Sequence, residues 1–135
     1  MYISNLIANI HWLPIVVMTI FSFALGSFWH SPLLFGKVWK EENNFPTTKA
    51  DLNLPLIFGG TAVLNFIALA GLSAVVGGLT ATEGLLTGFL ISTVWTLTTI
   101  GGTYLFANRS LKLLAIDATM YIVLFSISGL VLAIW

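Results

Sequence analysis

Gly26-Ser-Phe-Trp-His-Ser-Pro-Leu-Leu-Phe-Gly-Lys-Val-Trp39 is where one apolar run stops and a different kind of segment starts. Upstream, Leu13 to His30 reads as a helix. Thr19, Ser22, Phe23, Gly26 and His30 share one face at 3.6 residues per turn. Pro32 lacks an amide hydrogen and pushes Ser31 toward extended geometry, so the helix ends there. Downstream, Phe35, Val38 and Trp39 recur at helical spacing, and Lys37, Lys40, Glu41 and Glu42 occupy the other faces. This pattern predicts a short helix lying in a membrane interface, aromatics down and lysines snorkelling to water.

Three more apolar runs follow. Together they predict helix one over 13–30, helix two over 54–78, helix three over 83–106 and helix four over 111–135, with a connection over 31–53. The turn-forming part of that connection is Glu42-Asn-Asn-Phe-Pro-Thr-Thr-Lys49. Asn53 is placed to cap helix two, and Thr80 or Thr82 to cap helix three. The 135 residues are 58% hydrophobic and 7% charged, against roughly 25% charged in a soluble domain. Such a chain has too little polar surface to meet water on all sides. The expected fold class is all-α: one polytopic membrane domain over 1–135, a bundle of four transmembrane helices with an interfacial helix after helix one.

All five Lys and Arg residues fall in two joints. Lys37, Lys40 and Lys49 follow helix one; Arg109 and Lys112 join helices three and four. In a four-helix chain these joints lie on one side. The positive-inside rule makes that side cytoplasmic and puts both termini outside, with a bacterial inner membrane as the expected location. No Lys or Arg precedes helix one, so it lacks the basic start of a cleavable signal and reads as retained. A net charge of zero leaves no basic patch for nucleic acid. The absence of cysteine excludes disulfides and thiolate chemistry. No phosphate-cradling loop, carboxylate pair or nucleophile–His–acid set is spelled out, so no catalytic residue, cofactor or metal is expected.

A few polar residues stand out against this background. Asp117 lies roughly two turns into helix four, ~9 Å along the axis from Leu111. A carboxylate at the centre of a membrane helix costs about 2.5–3.5 kcal/mol, and less near its end. Asp117 is therefore either a proton or cation relay, or a structural anchor paired with Lys37, Arg109 or Lys112 from the same side. His30 ends helix one at similar depth and titrates near neutrality. With Thr99, Thr103 and Tyr121 it could line a polar pocket beside Asp117, although Thr hydroxyls more often bond back to their own helix. Asn65, near the midplane, can bridge helices or line a pore. On helix three, Gly84, Gly88, Ser92, Trp95, Thr96, Thr99, Gly102 and Thr103 form one broad face, with Gly84, Gly88 and Gly102 as the expected close-packing positions. Trp12, Trp29, Trp39 and Trp135 sit at helix ends as interfacial anchors, whereas Trp95 is mid-helix and expected to pack between helices.

The stretch around Trp29-His30-Ser31-Pro32 and Phe35-Gly36 resembles the opening of a bacterial membrane family, domain of unknown function 1761, which reads G-x-x-W-Y-S-P-L-x-F-G-x-x-W after its first helix. Ile10-His11-Trp12-Leu13 is similar to the family's usual Ile-Asn-Trp-Leu. Tyr104-Leu-Phe106, Leu111-Lys112-Leu113, Ile116-Asp117-Ala118 and the closing Gly129 to Trp135 resemble its later segments. The chain departs from the pattern at His30, where tyrosine is usual, and at His11, where asparagine is. The resemblance implies the four-helix topology and carries no activity.

Two functions fit the sequence. One is a homo-oligomeric permeation unit passing protons, ions or a small solute along Asp117 and the threonine face. The other is an accessory membrane protein whose polar residues hold helices together and whose lysine–aromatic segment meets lipid or a partner protein.

Overall fold

A computed structural model describes residues 1–8, 10–43 and 52–135. Its helices are α1 (Tyr2–Ala8), α2 (Trp12–Trp29), α3 (Gly36–Asn43), α4 (Leu54–Val76), α5 (Ala81–Ile91), α6 (Leu97–Phe106) and α7 (Leu111–Ile134). A single π-helical turn, Ser92–Thr96, joins α5 to α6 without a break. No strand occurs among the described residues. Among the described residues, four stretches are long and apolar enough to cross a membrane: Trp12–Trp29, Leu54–Val76, Ala81–Phe106 and Leu111–Ile134. The chain is a multi-pass membrane protein. Lys49 and most of the expected turn around it lie outside the described residues.

Local chemistry sets the helix ends. The Asn53 side chain accepts from the Leu56 amide at 3.1 Å, with Pro55 in the first turn of α4, where its missing N–H has no partner to lose. Gly78, at φ +86°, turns the chain from α4 toward α5. Thr80 and Glu83 form a reciprocal capping box at the start of α5. Asn108 adopts φ 53° between α6 and α7, and the Ser110 side chain accepts from the Leu113 amide at 3.1 Å. We expect Ser110→Ala to cost about 1 kcal/mol, read as a lower denaturation midpoint in detergent.

The core brings together Ile15 and Met18 of α2, Leu69, Leu72 and Val76 of α4, and Phe125, Leu132 and Ala133 of α7. The closest pairing is α5 on α7, made possible by three glycines. A Cβ on Gly84 would stand 2.3 Å from the Gly129 carbonyl oxygen, one on Gly88 2.0 Å from that of Phe125, and one on Gly129 2.2 Å from that of Gly84. Without a Cβ on either side the two backbones meet directly, the small-residue contact that lipid-embedded helices favour. Gly102 does not join them: nothing lies within 4 Å of the position its Cβ would take.

The π-helical turn explains that difference. The Leu97 amide donates to the Ser92 carbonyl five residues back, which in effect inserts one residue into the helix. One inserted residue rotates everything downstream by about 100°. Gly84, Gly88 and Ser92, upstream, are buried; Trp95, Thr99, Gly102 and Thr103 are exposed. The single broad face expected for helix three is therefore split. Trp95, expected between helices, is 64% exposed. The same rotation turns Tyr104 toward α7.

Candidate functional site

The turn after α2 builds one wall of the site. Ser31 Oγ donates to the Phe28 carbonyl, the Phe35 amide to that of Trp29, and the Gly36 amide to that of Ser31. The chain folds back so tightly that a Cβ on Gly36 would stand 2.2 Å from the His30 carbonyl oxygen. This turn carries α3 back over the end of α2 and sets the Trp39 ring edge-on to the His30 ring, centroids 5.0 Å apart. Trp29 Nε1 donates across to the Ile116 carbonyl of α7 at 3.0 Å. The residue after Ile116 is Asp117.

Asp117 is held from three directions. Trp39 Nε1 donates to Oδ1 at 2.9 Å, Tyr104 Oη donates to Oδ2 at 2.5 Å, and His30 Nε2 lies 3.4 Å from Oδ1. The lysines and arginine expected as its partners are elsewhere. Among the described residues, the ion pair of Asp117 is with His30. Lys37 and Lys112 are exposed. Arg109 donates to the Asn43 side chain and lies 5.0 Å from the centroid of the Tyr104 ring. Indole and phenol donors reach a partly buried carboxylate with a smaller desolvation penalty than an ammonium incurs. The Arg109–Asn43 contact also brings both basic joints to one end of the molecule.

The two imidazole nitrogens of His30 both face oxygen. Nδ1 is 2.9 Å from the Gly26 carbonyl oxygen, a pure acceptor, so it must carry its hydrogen. Nε2 faces the carboxylate of Asp117. A neutral ring would turn a lone pair toward that oxygen, so the geometry is satisfied by one further proton held between Nε2 and Oδ1. His30 lies just past the end of the α2 span. The bond to Asp117 raises its pKa above the ordinary 6.5, with the Gly26 carbonyl adding to that and burial opposing it. A raised histidine pKa stabilises the fold fully below the unfolded value, and this contribution is lost as pH rises through the folded value. Thermal stability in detergent should accordingly fall from about pH 6.5 upward, and His30→Gln should flatten the profile.

Next to this pair, a half-open cavity of about 440 Å³ runs between α2, α4 and α7. His30, Trp39 and Tyr121 line one end, and Ser22 and Asn65 the other. Ser22 lies on α2 eight residues before His30, ~12 Å along the helix axis. Asn65 Nδ2 donates to Ser22 Oγ at 2.9 Å, and Ser22 Oγ donates in turn to the Thr19 carbonyl. Of the candidate polar residues, the structure thus brings His30, Asp117, Tyr121 and Asn65 to one region. Thr99 and Thr103 are not among them. Thr103 Oγ1 donates to the Thr99 carbonyl, and Thr99 lines a separate shallow recess with Trp95. Among the described residues no group of three or more His, Cys, Asp or Glu could hold a metal ion.

Trp39 and Tyr104 carry chemistry that the sequence did not assign to them. Trp39 reads in the sequence as an interfacial anchor but lies midway along α3, and Tyr104 comes to face Asp117 through the π-helical turn. The signal available was the spacing Tyr104 to Asp117 across a tight turn, which brings two helix ends to the same depth. Trp12 stacks on Phe66 at 6.2 Å, and Trp135 ends the chain exposed. The chain matches a family model described as "Protein of unknown function (DUF1761)" over residues 13–133. No curated protein and no solved structure matches.

Proposed function

The chain belongs to the DUF1761 family, and we propose that it is a small proton-conducting or proton-coupled permeation unit, with His30 and Asp117 as its proton site. One observation carries this reading. The carboxylate is balanced by a group that titrates near neutrality, and that group opens onto a cavity reaching toward the middle of the helices. A lysine or arginine partner would stay charged throughout the physiological range; an imidazole does not. Four helices enclose little space, so the conducting form is a homo-oligomer in membrane lipid. The basic ends of α3 and α7 face the cytoplasm of a bacterial inner membrane, and both termini face out.

The test is proton flux into liposomes carrying the purified protein, driven by a potassium diffusion potential and read with an internal pH dye. Wild type should acidify the lumen faster than empty vesicles. Asp117→Asn, still folded by circular dichroism, should lose at least tenfold of that rate. Wild type no faster than empty vesicles would sink the reading.

A second reading is favoured by the way Asp117 ties α2, α3 and α6 to α7 through three side chains. In that accessory role the carboxylate is a clamp that holds α3 against the span ends for contact with lipid or a partner protein. It predicts no flux, together with loss of folding in Asp117→Asn.

A further inference from the structure

Charge accounting around the cavity distinguishes the ligands it can take. Among the described residues, His30 and Tyr121 are the titratable groups that line it, and Asp117 stands directly behind His30. Tyr104 faces Asp117 as a neutral phenol, with Arg109 beyond it. α4 contributes the neutral Thr61 and Asn65, and α3 contributes Trp39. Lys37, Lys40 and Glu41 on α3 are exposed and Glu42 is half-buried; none of the four is in the lining, and their charges cancel. The His30–Asp117 pair is therefore neutral with its shared proton and carries one negative charge without it. Neither state is positive, so neither attracts an anion.

The walls point the same way. Phe23 and Phe58 face each other at 6.1 Å between centroids, and Trp39 and Tyr121 close the end at His30. Aromatic faces carry negative potential and attract cations over apolar bodies of the same size, more strongly away from water. We propose that this cavity binds a monovalent organic cation with an apolar body, and that its entry releases the proton from His30–Asp117. The proposal rests on the reading above that this pair is a proton site open to the cavity. Cation and proton then compete for one negative charge, and each weakens the other by the same factor.

Benzyltrimethylammonium is a suitable probe because its own charge does not change with pH. Calorimetric titration of the full chain in non-ionic detergent, against empty micelles, should show affinity rising about tenfold per pH unit below the folded pKa of His30 and levelling above it. Below that pKa, buffers of different ionisation heat should report one proton released per cation bound, and well above it none. Neutral N,N-dimethylbenzamide, of similar size, and the anion 3-phenylpropionate should both bind more weakly and without that proton release. His30→Gln should bind with no pH dependence. Phe58→Leu, at a wall position 57% exposed, should weaken binding about two- to fivefold with its pH dependence intact. Wild-type binding that ignores pH, an equal affinity for the neutral amide, or a preference for the anion overturns the proposal. The two readings fail separately. Cation-linked proton release without vesicle flux removes the permeation reading and keeps this one; vesicle proton flux without cation binding does the reverse.

Discussion

Asp117→Ala should lower the stability of the folded protein by about 2–3 kcal/mol, the largest loss expected from any polar substitution in the chain. The substitution removes the carboxylate that three side chains share: the Trp39 indole, the Tyr104 hydroxyl and the His30 imidazole. The carboxylate is not fully buried, at 17% side-chain exposure, so water reaches part of the gap and keeps the loss below that of a sealed ion pair. Asp117→Asn should be milder, about 1 kcal/mol. Its amide oxygen, at the Oδ1 position, still accepts from Trp39, and its NH₂, at the Oδ2 position, can donate to the Tyr104 hydroxyl oxygen. Unfolding in mixed micelles measures both variants. The order matters more than the size: Ala well below Asn identifies hydrogen bonding as the main contribution, and equal losses would assign it to charge instead.

Gly88→Ala should be as damaging, at about 3 kcal/mol, although it adds a single methyl group. That methyl would lie 2.0 Å from the Phe125 carbonyl oxygen, and neither partner is a flexible side-chain end. The α5 and α7 backbones would have to part along the whole crossing, taking the Gly84–Gly129 contact with them. Gly60 and Gly71 of α4 have nothing within 4 Å of the same position. Gly60→Ala and Gly71→Ala should be neutral or up to ~1 kcal/mol stabilising, since alanine is the better helix former. The same micelle unfolding assay compares all three. Equal behaviour of Gly88 and Gly60 would mean that the helix crossing is not where the backbones meet.

The spans were legible because hydropathy and proline are local signals. Pro32 ends α2, and Leu54 to Val76 needs no partner to be recognised as apolar and helical. Gly84 and Gly88 were legible as a packing pair from their four-residue spacing, but Gly129 was not, because spacing within one helix does not say which face of another it meets. The threonine face failed for a definite reason. Helical periodicity runs unbroken through Ser92–Thr96 in the sequence, and a π-helical turn there leaves no mark in hydropathy. At the site itself, His30 and Asp117 were found by their cost in an apolar setting. Trp39 and Tyr104 do not stand out in the sequence, because Coulomb's law favours a cation as partner for a carboxylate, whereas partial burial favours neutral donors that lose less hydration.

The protonation of His30 should be set by Asp117. Nitrogen-15 NMR of imidazole-labelled protein in micelles measures it directly, since the chain has only two histidines to assign, His11 and His30. In wild type His30 should titrate above 6.5. In Asp117→Asn it should drop to or below that value, because burial then acts without the carboxylate. A His30 that titrates at the same pH in both proteins would mean that the carboxylate does not control the imidazole.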